Sequence, residues 1–112
     1  MTDTDLAEWH RIDDDACRQA ARVLEIVGKR WSGGILLAIA RGAERFSEIT
    51  VTVRDLSGRM LAVRLRELEE AGLVDRVIIP TMPVGVRYRL TDRGRDLLSS
   101  LQPLAGYTHR WA

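Results

Sequence analysis

Residues 57–71, SGRMLAVRLRELEEA, carry the clearest hydrophobic pattern of the chain. Wound at 3.6 residues per turn, they gather Met60, Leu61, Leu65, Leu68 and Ala71 on one arc and leave Arg59, Ala62, Val63 and Arg66 on another. Glu67, Glu69 and Glu70 follow toward the end. Ser57 is of the residue type that caps a helix by accepting from an orphan backbone N–H. Leu56 and Leu61 have the spacing of a hydrophobic staple, and Gly72 stops the helix. Taken alone, this is an amphipathic surface helix with a mixed-charge wet face. Its basic and small groups lie in the first half, which is also what a helix needs to meet phosphates and base edges.

Upstream, Leu6, Trp9 and Ile12 fall three apart in an arm spanning residues 1–16, giving a short amphipathic helix that would be marginal alone. Trp9 there either docks on its own domain or on a partner subunit, or belongs to a frayed tail. Asp13, Asp14 and Asp15 suit the positive end of the next helix. Cys17, Ala20, Leu24 and Val27 make one apolar face, so spacing alone predicts a buried, inert thiol at Cys17. Residues 29–41 hold Trp31, Ile35, Leu36, Ala38 and Ile39, a pattern that predicts the central core helix. Gly33 and Gly34 weaken that helix and leave room for a close neighbour. Residues 44–53, ERFSEITVTV, predict a short helix capped by Ser47, despite the β-branched run at their end. With a turn at 54–56 and the helix at 57–71, they form a helix-turn-helix over residues 46–71.

Beyond Gly72 the period changes. LVDRVII (73–79) and VRYRL (86–90) read as two strands, and Pro80, Pro83 and Gly85 mark the loop between them. A hairpin over 73–91 directly after a helix-turn-helix is a wing. Arg76, Arg87 and Arg89 line it, so it either meets phosphate or the minor groove or pairs Arg87 and Arg89 with acids of the core. Thr91 caps a last helix over 92–112 with Leu97, Leu98, Leu101, Leu104, Tyr107 and Trp111 on its apolar side. Pro103 is expected to kink or break it. A small winged domain has little core left to cover that side, which points to dimerisation through Leu97, Leu101, Leu104, Tyr107 and Trp111, with Leu6 and Trp9 packed across it. Packing within one chain is the alternative. The expected fold class is mainly α with a small β-hairpin (α+β), a winged helix-turn-helix forming one domain over 1–112.

Composition adjusts this picture little. The 112 residues are 46% apolar and 29% charged, with a net charge of only +1, so any positive field must come from placement. Acids crowd the start, and most arginines follow Lys29. No apolar run approaches a membrane span and no leader pattern is visible, so a cytoplasmic location is expected and no membrane partner. One cysteine forbids an intrachain disulfide. His10 and His109 lack metal-ligand spacing. Phosphate-loop and nucleophile-elbow motifs are absent, and Glu67, Glu69 and Glu70 read as a solvated face. Neither an enzyme nor a cofactor is expected. Arg64 falls on the apolar arc and needs a partner, either Glu48 or Glu67 or a phosphate, because a lone buried arginine is costly.

The ordered pieces Cys17, IVGKRW (26–31), RFSEI (45–49), SGRMLAVRLRELEEAGLVDR (57–76) and RYRLTDRGRDL (87–97) resemble the HxlR family of bacterial winged helix-turn-helix transcription regulators, related to the MarR group. The resemblance runs from about Cys17 to the last helix. It implies a homodimer built from terminal helices on a pseudo-palindromic operator in double-stranded DNA. Arg59, Ala62, Val63 and Arg66 match the exposed recognition-helix positions, Ser57 matches its start, and the hairpin with Arg76 and Arg87 matches the wing. Cys17 falls where many members carry a cysteine that in some senses electrophiles or oxidants. A small-molecule effector in a cleft lined by Trp9, Trp31 and Trp111 is the other route of control, unless these residues simply fill core. The departures are Arg18 in place of a proline after the cysteine, an altered glycine pair before Lys29, and a wing tip of Pro83, Val84 and Gly85 without a basic residue. A winged-helix protein-interaction module without DNA contact is the alternative function.

Overall fold

The computed structural model describes residues 10–111, so the expectations for Leu6 and Trp9 lie outside the described residues. Five helices and one antiparallel hairpin follow in order: α1 (Asp14–Val27), α2 (Ser32–Ala40), α3 (Phe46–Thr52), α4 (Gly58–Glu70), β1 (Val74–Ile79), β2 (Gly85–Leu90) and α5 (Asp92–Trp111). The expected class, helices plus a small hairpin in a winged helix-turn-helix, is the one observed.

The helix ends follow the sequence closely. Asp13 accepts from the Ala16 N–H at 2.7 Å and starts α1. Ser57 accepts from Met60 N–H at 3.1 Å and starts α4, and Thr91 accepts from Gly94 N–H at 2.9 Å and starts α5. Gly72, at φ 76°, takes the left-handed conformation after α4. The Gly72 and Leu73 N–H groups then donate to the carbonyls of Glu69 and Leu68, both at 3.0 Å, which satisfies carbonyls that the helix end would orphan.

The start of α3 corrects the expected cap. Ser47 lies inside the helix, where its carbonyl accepts from Thr50. The N-cap is Arg45, whose N–H donates to Glu48 Oε1 at 2.9 Å. Pro103 does not break α5, which runs unbroken over 20 residues. Its ring removes one donor, and nineteen other residues carry the helix past it.

The core is built where α2, α3, α4 and the base of the hairpin meet. Ile35, Leu36, Ile49, Leu61 and Leu68 are fully buried, with Leu65 and Val74 close behind. Burying each such side chain contributes about 1.5–3 kcal/mol. The hairpin pairs Val74 with Leu90 and Ile79 with Gly85, and the Tyr88 N–H donates to the Glu44 carbonyl at 2.7 Å, tying the wing to the segment before α3. Gly94 is buried against the Leu73 backbone, so α5 crosses the base of the wing at close quarters.

Helix α1 departs from expectation. It buries no residue completely, and Cys17 and Leu24 are exposed. Val23, Ile26 and Val27 are its partly covered positions. The radius of gyration, 16.7 Å with extents of 61 × 31 × 20 Å, exceeds the ~13 Å of a compact chain of this length. Much of the apolar surface of α5 lies beyond that core: Leu104, Tyr107 and Trp111 are all more than half exposed.

Candidate nucleic-acid interface

Helix α4 is held by its buried arc and capped at both ends, so the opposite arc is presented rigidly. Arg59, Ala62, Val63 and Arg66 are exposed there, with Ser57 exposed at the start. They line a shallow depression of about 320 Å³ together with Glu67 and Glu70. Among the described residues neither Arg59 nor Arg66 has an ion-pair partner. Two cationic forks flanking a methyl and an isopropyl group can pair with base edges or phosphates and cover thymine methyls.

Arg64 was expected to be tied to Glu48 or Glu67, and it is tied to Glu67. Its Nη1 donates to Glu67 Oε1 at 2.9 Å, and its Nε donates to the Arg30 carbonyl at 3.0 Å. The other oxygen of Glu67 accepts from Lys29 Nζ at 2.6 Å. Glu67 is therefore a partly exposed but ion-paired member of the solvated face, not a free carboxylate. The Lys29 hydrogen bond holds its carboxyl below the ordinary value of 4.5, against the opposing effect of desolvation and with help from the charge of Arg64. The corner that supplies these partners is tight. Trp31 has a left-handed backbone, φ 80°, and the Arg30 guanidinium stacks 4.6 Å from its ring centroid.

The wing separates its arginines. The register pairs Arg76 with Tyr88 and Arg87 with Val77, so Arg76 and Arg87 point to opposite faces of the hairpin. Arg76 is exposed. Arg87 is half-buried and donates to the Val86 carbonyl at 3.3 Å. Arg89 pairs with Glu44 at 3.6 Å, so the core-acid reading holds for Arg89 and not for Arg87. The tip carries no charge: Met82 and Val84 are exposed, and so is Ile78 below them.

Cys17 lies near the start of α1 and is exposed, which corrects the buried thiol that spacing predicts. An apolar face at helical period buries a residue only if another element covers it, and none does at Cys17 within the described residues. Arg18 does not fold back on the thiol; it pairs with Asp15 at 3.3 Å.

Between α2 and α5 lies an apolar groove of about 500 Å³, lined by Gly33, Leu37, Leu98, Leu101, Leu104 and Ala105 among others. Leu101 and Leu104 are expected interface residues that do meet there. Leu97 instead packs on the chain's own core, and Tyr107 and Trp111 continue along the exposed end of α5. Among the described residues no tryptophan lines the groove; Trp31 packs on the core. Gly33 is one of the two glycines expected to leave room for a close neighbour; Leu37 was missed. The signal for Leu37 was the lack of any polar face in SGGILLAIA, because a helix apolar all round must meet something on every side.

Among the described residues, no group of His, Cys, Asp and Glu is placed to hold a metal ion, and no helix is long and apolar enough to cross a membrane.

The arrangement recurs in known proteins. An HTH-type transcriptional regulator of Bacillus subtilis, YvaP, is 40% identical over 98 residues, covering 88% of this chain and 87% of YvaP. A second from the same organism, YodB, is 37% identical over 95 residues, covering 85% of each chain. The crystal structure of diamide-treated YodB superposes with a TM-score of 0.73, covering 82% of this chain and 91% of that one at 37% identity. Quinone-bound YodB also gives 0.73, covering 84% and 99% at 33% identity. The redox regulator HypR in its oxidised form gives 0.68, covering 83% and 92% at 31% identity. The family model described as HxlR-like helix-turn-helix matches residues 26–112, from the end of α1 through the helix-turn-helix and the wing to the last helix, and the chain belongs to that family of transcriptional regulators.

Proposed function

We propose that this regulator works in the cytoplasm as a homodimer that binds a pseudo-palindromic operator in double-stranded DNA. The observation that carries the reading is the exposed quartet Arg59, Ala62, Val63 and Arg66 on a helix fixed by core packing and two caps. In a dimer, two such helices enter successive major grooves roughly 34 Å apart. Arg59 and Arg66 supply base or phosphate contacts, and Ala62 and Val63 pack on thymine methyls. The Ser57 end of the helix approaches the backbone, and Arg76 and Arg87 are the wing's candidates for phosphate contact.

The partner for dimerisation is a second copy seated on the α2–α5 groove and on Leu104, Tyr107 and Trp111. Burying such residues is what would make their exposure tolerable in a soluble chain. Control is assigned to Cys17, whose exposure leaves it open to oxidants and electrophiles. The likeness to YodB structures treated with diamide or holding a quinone supports this class of effector. With one cysteine per chain, a disulfide must join two chains or take up a small thiol.

The test is fluorescence anisotropy on DNA from upstream of the gene against a scrambled duplex, across a salt series with reductant present. Selective binding that Arg59→Ala and Arg66→Ala each weaken by about 1–3 kcal/mol is the expected result. Unchanged affinity and sequence preference in both variants would refute the helix assignment. The apolar wing tip favours a second reading, a protein-interaction module, which would show neutral substitutions at both arginines together with tight binding of a protein partner.

A further inference from the structure

The recognition face contains two acids, Glu67 and Glu70, and of these Glu67 is the one tied to other side chains. Glu67 lines the same depression as Arg59, Ala62, Val63 and Arg66, where a free carboxylate would repel phosphate. It is not free. Lys29 Nζ holds one oxygen at 2.6 Å and Arg64 Nη1 holds the other at 2.9 Å. Lys29 comes from the α1–α2 corner, 38 residues away along the chain. Arg64 reaches the same corner by its second donor, from Nε to the Arg30 carbonyl at 3.0 Å. At that corner Trp31 sits in the left-handed region under the Arg30 guanidinium. The carboxylate therefore has two effects. It joins α4 to the α1–α2 corner by contacts outside the apolar core, and it occupies two cations that would otherwise attract any DNA.

We propose that Glu67 is a positioning residue for operator recognition: clamped by Lys29 and Arg64, it fixes the orientation of α4 and withholds both cations from indiscriminate phosphate contact. The inference rests on the DNA-binding reading above. A clamp of this kind raises selectivity rather than affinity. Its removal frees positive charge while loosening the helix that reads the bases. Non-specific binding is governed by counterion release, so the freed cations steepen its salt dependence by up to about 0.9 in log K against log salt per added phosphate contact.

The experiment compares the wild type, Glu67→Gln and Lys29→Met by fluorescence anisotropy on the operator and on a scrambled duplex, from low to moderate salt. Far-UV circular dichroism checks that each variant is folded. Glu67→Gln is expected to bind the scrambled duplex more tightly, with a steeper salt slope, and to lose about three- to tenfold of its operator preference, the size expected for two partly exposed ion pairs. Lys29→Met keeps the carboxylate and removes one of its cations, so it is expected to bind both duplexes more weakly. A purely structural role would lower stability and leave the scrambled-duplex affinity and slope unmoved. Wild-type selectivity and slope in Glu67→Gln, or tighter scrambled binding in Lys29→Met, would overturn the clamp while leaving the DNA reading intact. A wild type without operator preference would overturn the DNA reading, and the clamp with it.

Discussion

Gly94→Ala separates what helix propensity says from what the packing says. Gly94 lies in the first turn of α5, and propensity alone favours alanine there by up to about 1 kcal/mol. The packing opposes it. A Cβ built on Gly94 falls 2.1 Å from the Leu73 carbonyl oxygen and 3.1 Å from its carbon, both backbone atoms that cannot rotate away. To reach ordinary contact, the wing base and α5 must separate by roughly 1.3 Å. Two hydrogen bonds cross that seam, from Thr91 N–H to the Leu73 carbonyl at 3.1 Å and from Thr91 Oγ1 to the Gly72 carbonyl at 2.6 Å. Overpacking costs about 1–3 kcal/mol, and weakening the two bonds adds about 0.5–1.5 kcal/mol each. After a propensity gain of about 1 kcal/mol, a net loss of about 1–5 kcal/mol is expected. That corresponds to a melting temperature lower by about 5–25 °C. Urea and thermal unfolding followed by circular dichroism, at matched protein concentration, give the answer. Gly33→Ala is the control, because nothing lies within 4 Å of its added carbon in this chain. It is expected to be neutral or slightly stabilising unless a second copy occupies the groove, in which case the concentration dependence of melting changes. A Gly94→Ala protein as stable as the wild type would refute the close-contact argument.

Three further outcomes follow from named contacts. Ser57→Ala removes the acceptor for Met60 N–H and is expected to cost about 1 kcal/mol in urea unfolding, with a slope equal to that of the wild type. Glu67 has a folded-state affinity for protons below that of the unfolded chain. Its stabilisation is therefore present above pH 4.5 and is lost as pH falls from there through the depressed folded value. The wild type should lose stability to Glu67→Gln in that acid window only; a constant difference between pH 7 and 3 would contradict the linkage. Cys17→Ser should bind DNA like the wild type in reductant and keep binding after diamide treatment, whereas equal responses of both proteins would remove Cys17 from the control mechanism.

Local signals were legible because their causes are local. Asp13, Ser57 and Thr91 cap because an oxygen on a short side chain reaches back to a nearby N–H, and Gly72 stops α4 because only glycine enters the left-handed region cheaply. Arg64 was legible for another reason: a charge on an apolar arc demands a partner, and few acids were in reach. Most of the misses depend on residues far apart in sequence. Gly94 is required by Leu73, Glu67 is claimed by Lys29, and the opposed faces of Arg76 and Arg87 follow from the hairpin register. Ser47 lost the cap to Arg45 by one turn position, a local miss, because the Glu48 side chain reaches back to the Arg45 N–H.

The periodicity along α1 was right about a shared face and wrong about burial, whereas the core expected on α2 is buried and the outer apolar side of α5 is open, and the contrast is informative. Period reports which residues share a side; burial also requires something to cover that side. Cys17, Leu24, Leu37, Leu104, Tyr107 and Trp111 lie on apolar or mixed faces that are open in one copy of the chain. By contrast, the apolar arc of α4 is covered where it was expected to be. Those open positions lie on α1, α2 and α5, outside the helix-turn-helix and the wing, which themselves expose Val51, Val63, Ile78, Met82 and Val84. With a net charge of +1, the proposed DNA contact has to rest on where charge is placed. Arg64, Arg89 and Arg18 are each paired with an acid, while Arg59 and Arg66 stand unpaired on one face, so the usable positive charge depends on pairing rather than on the total.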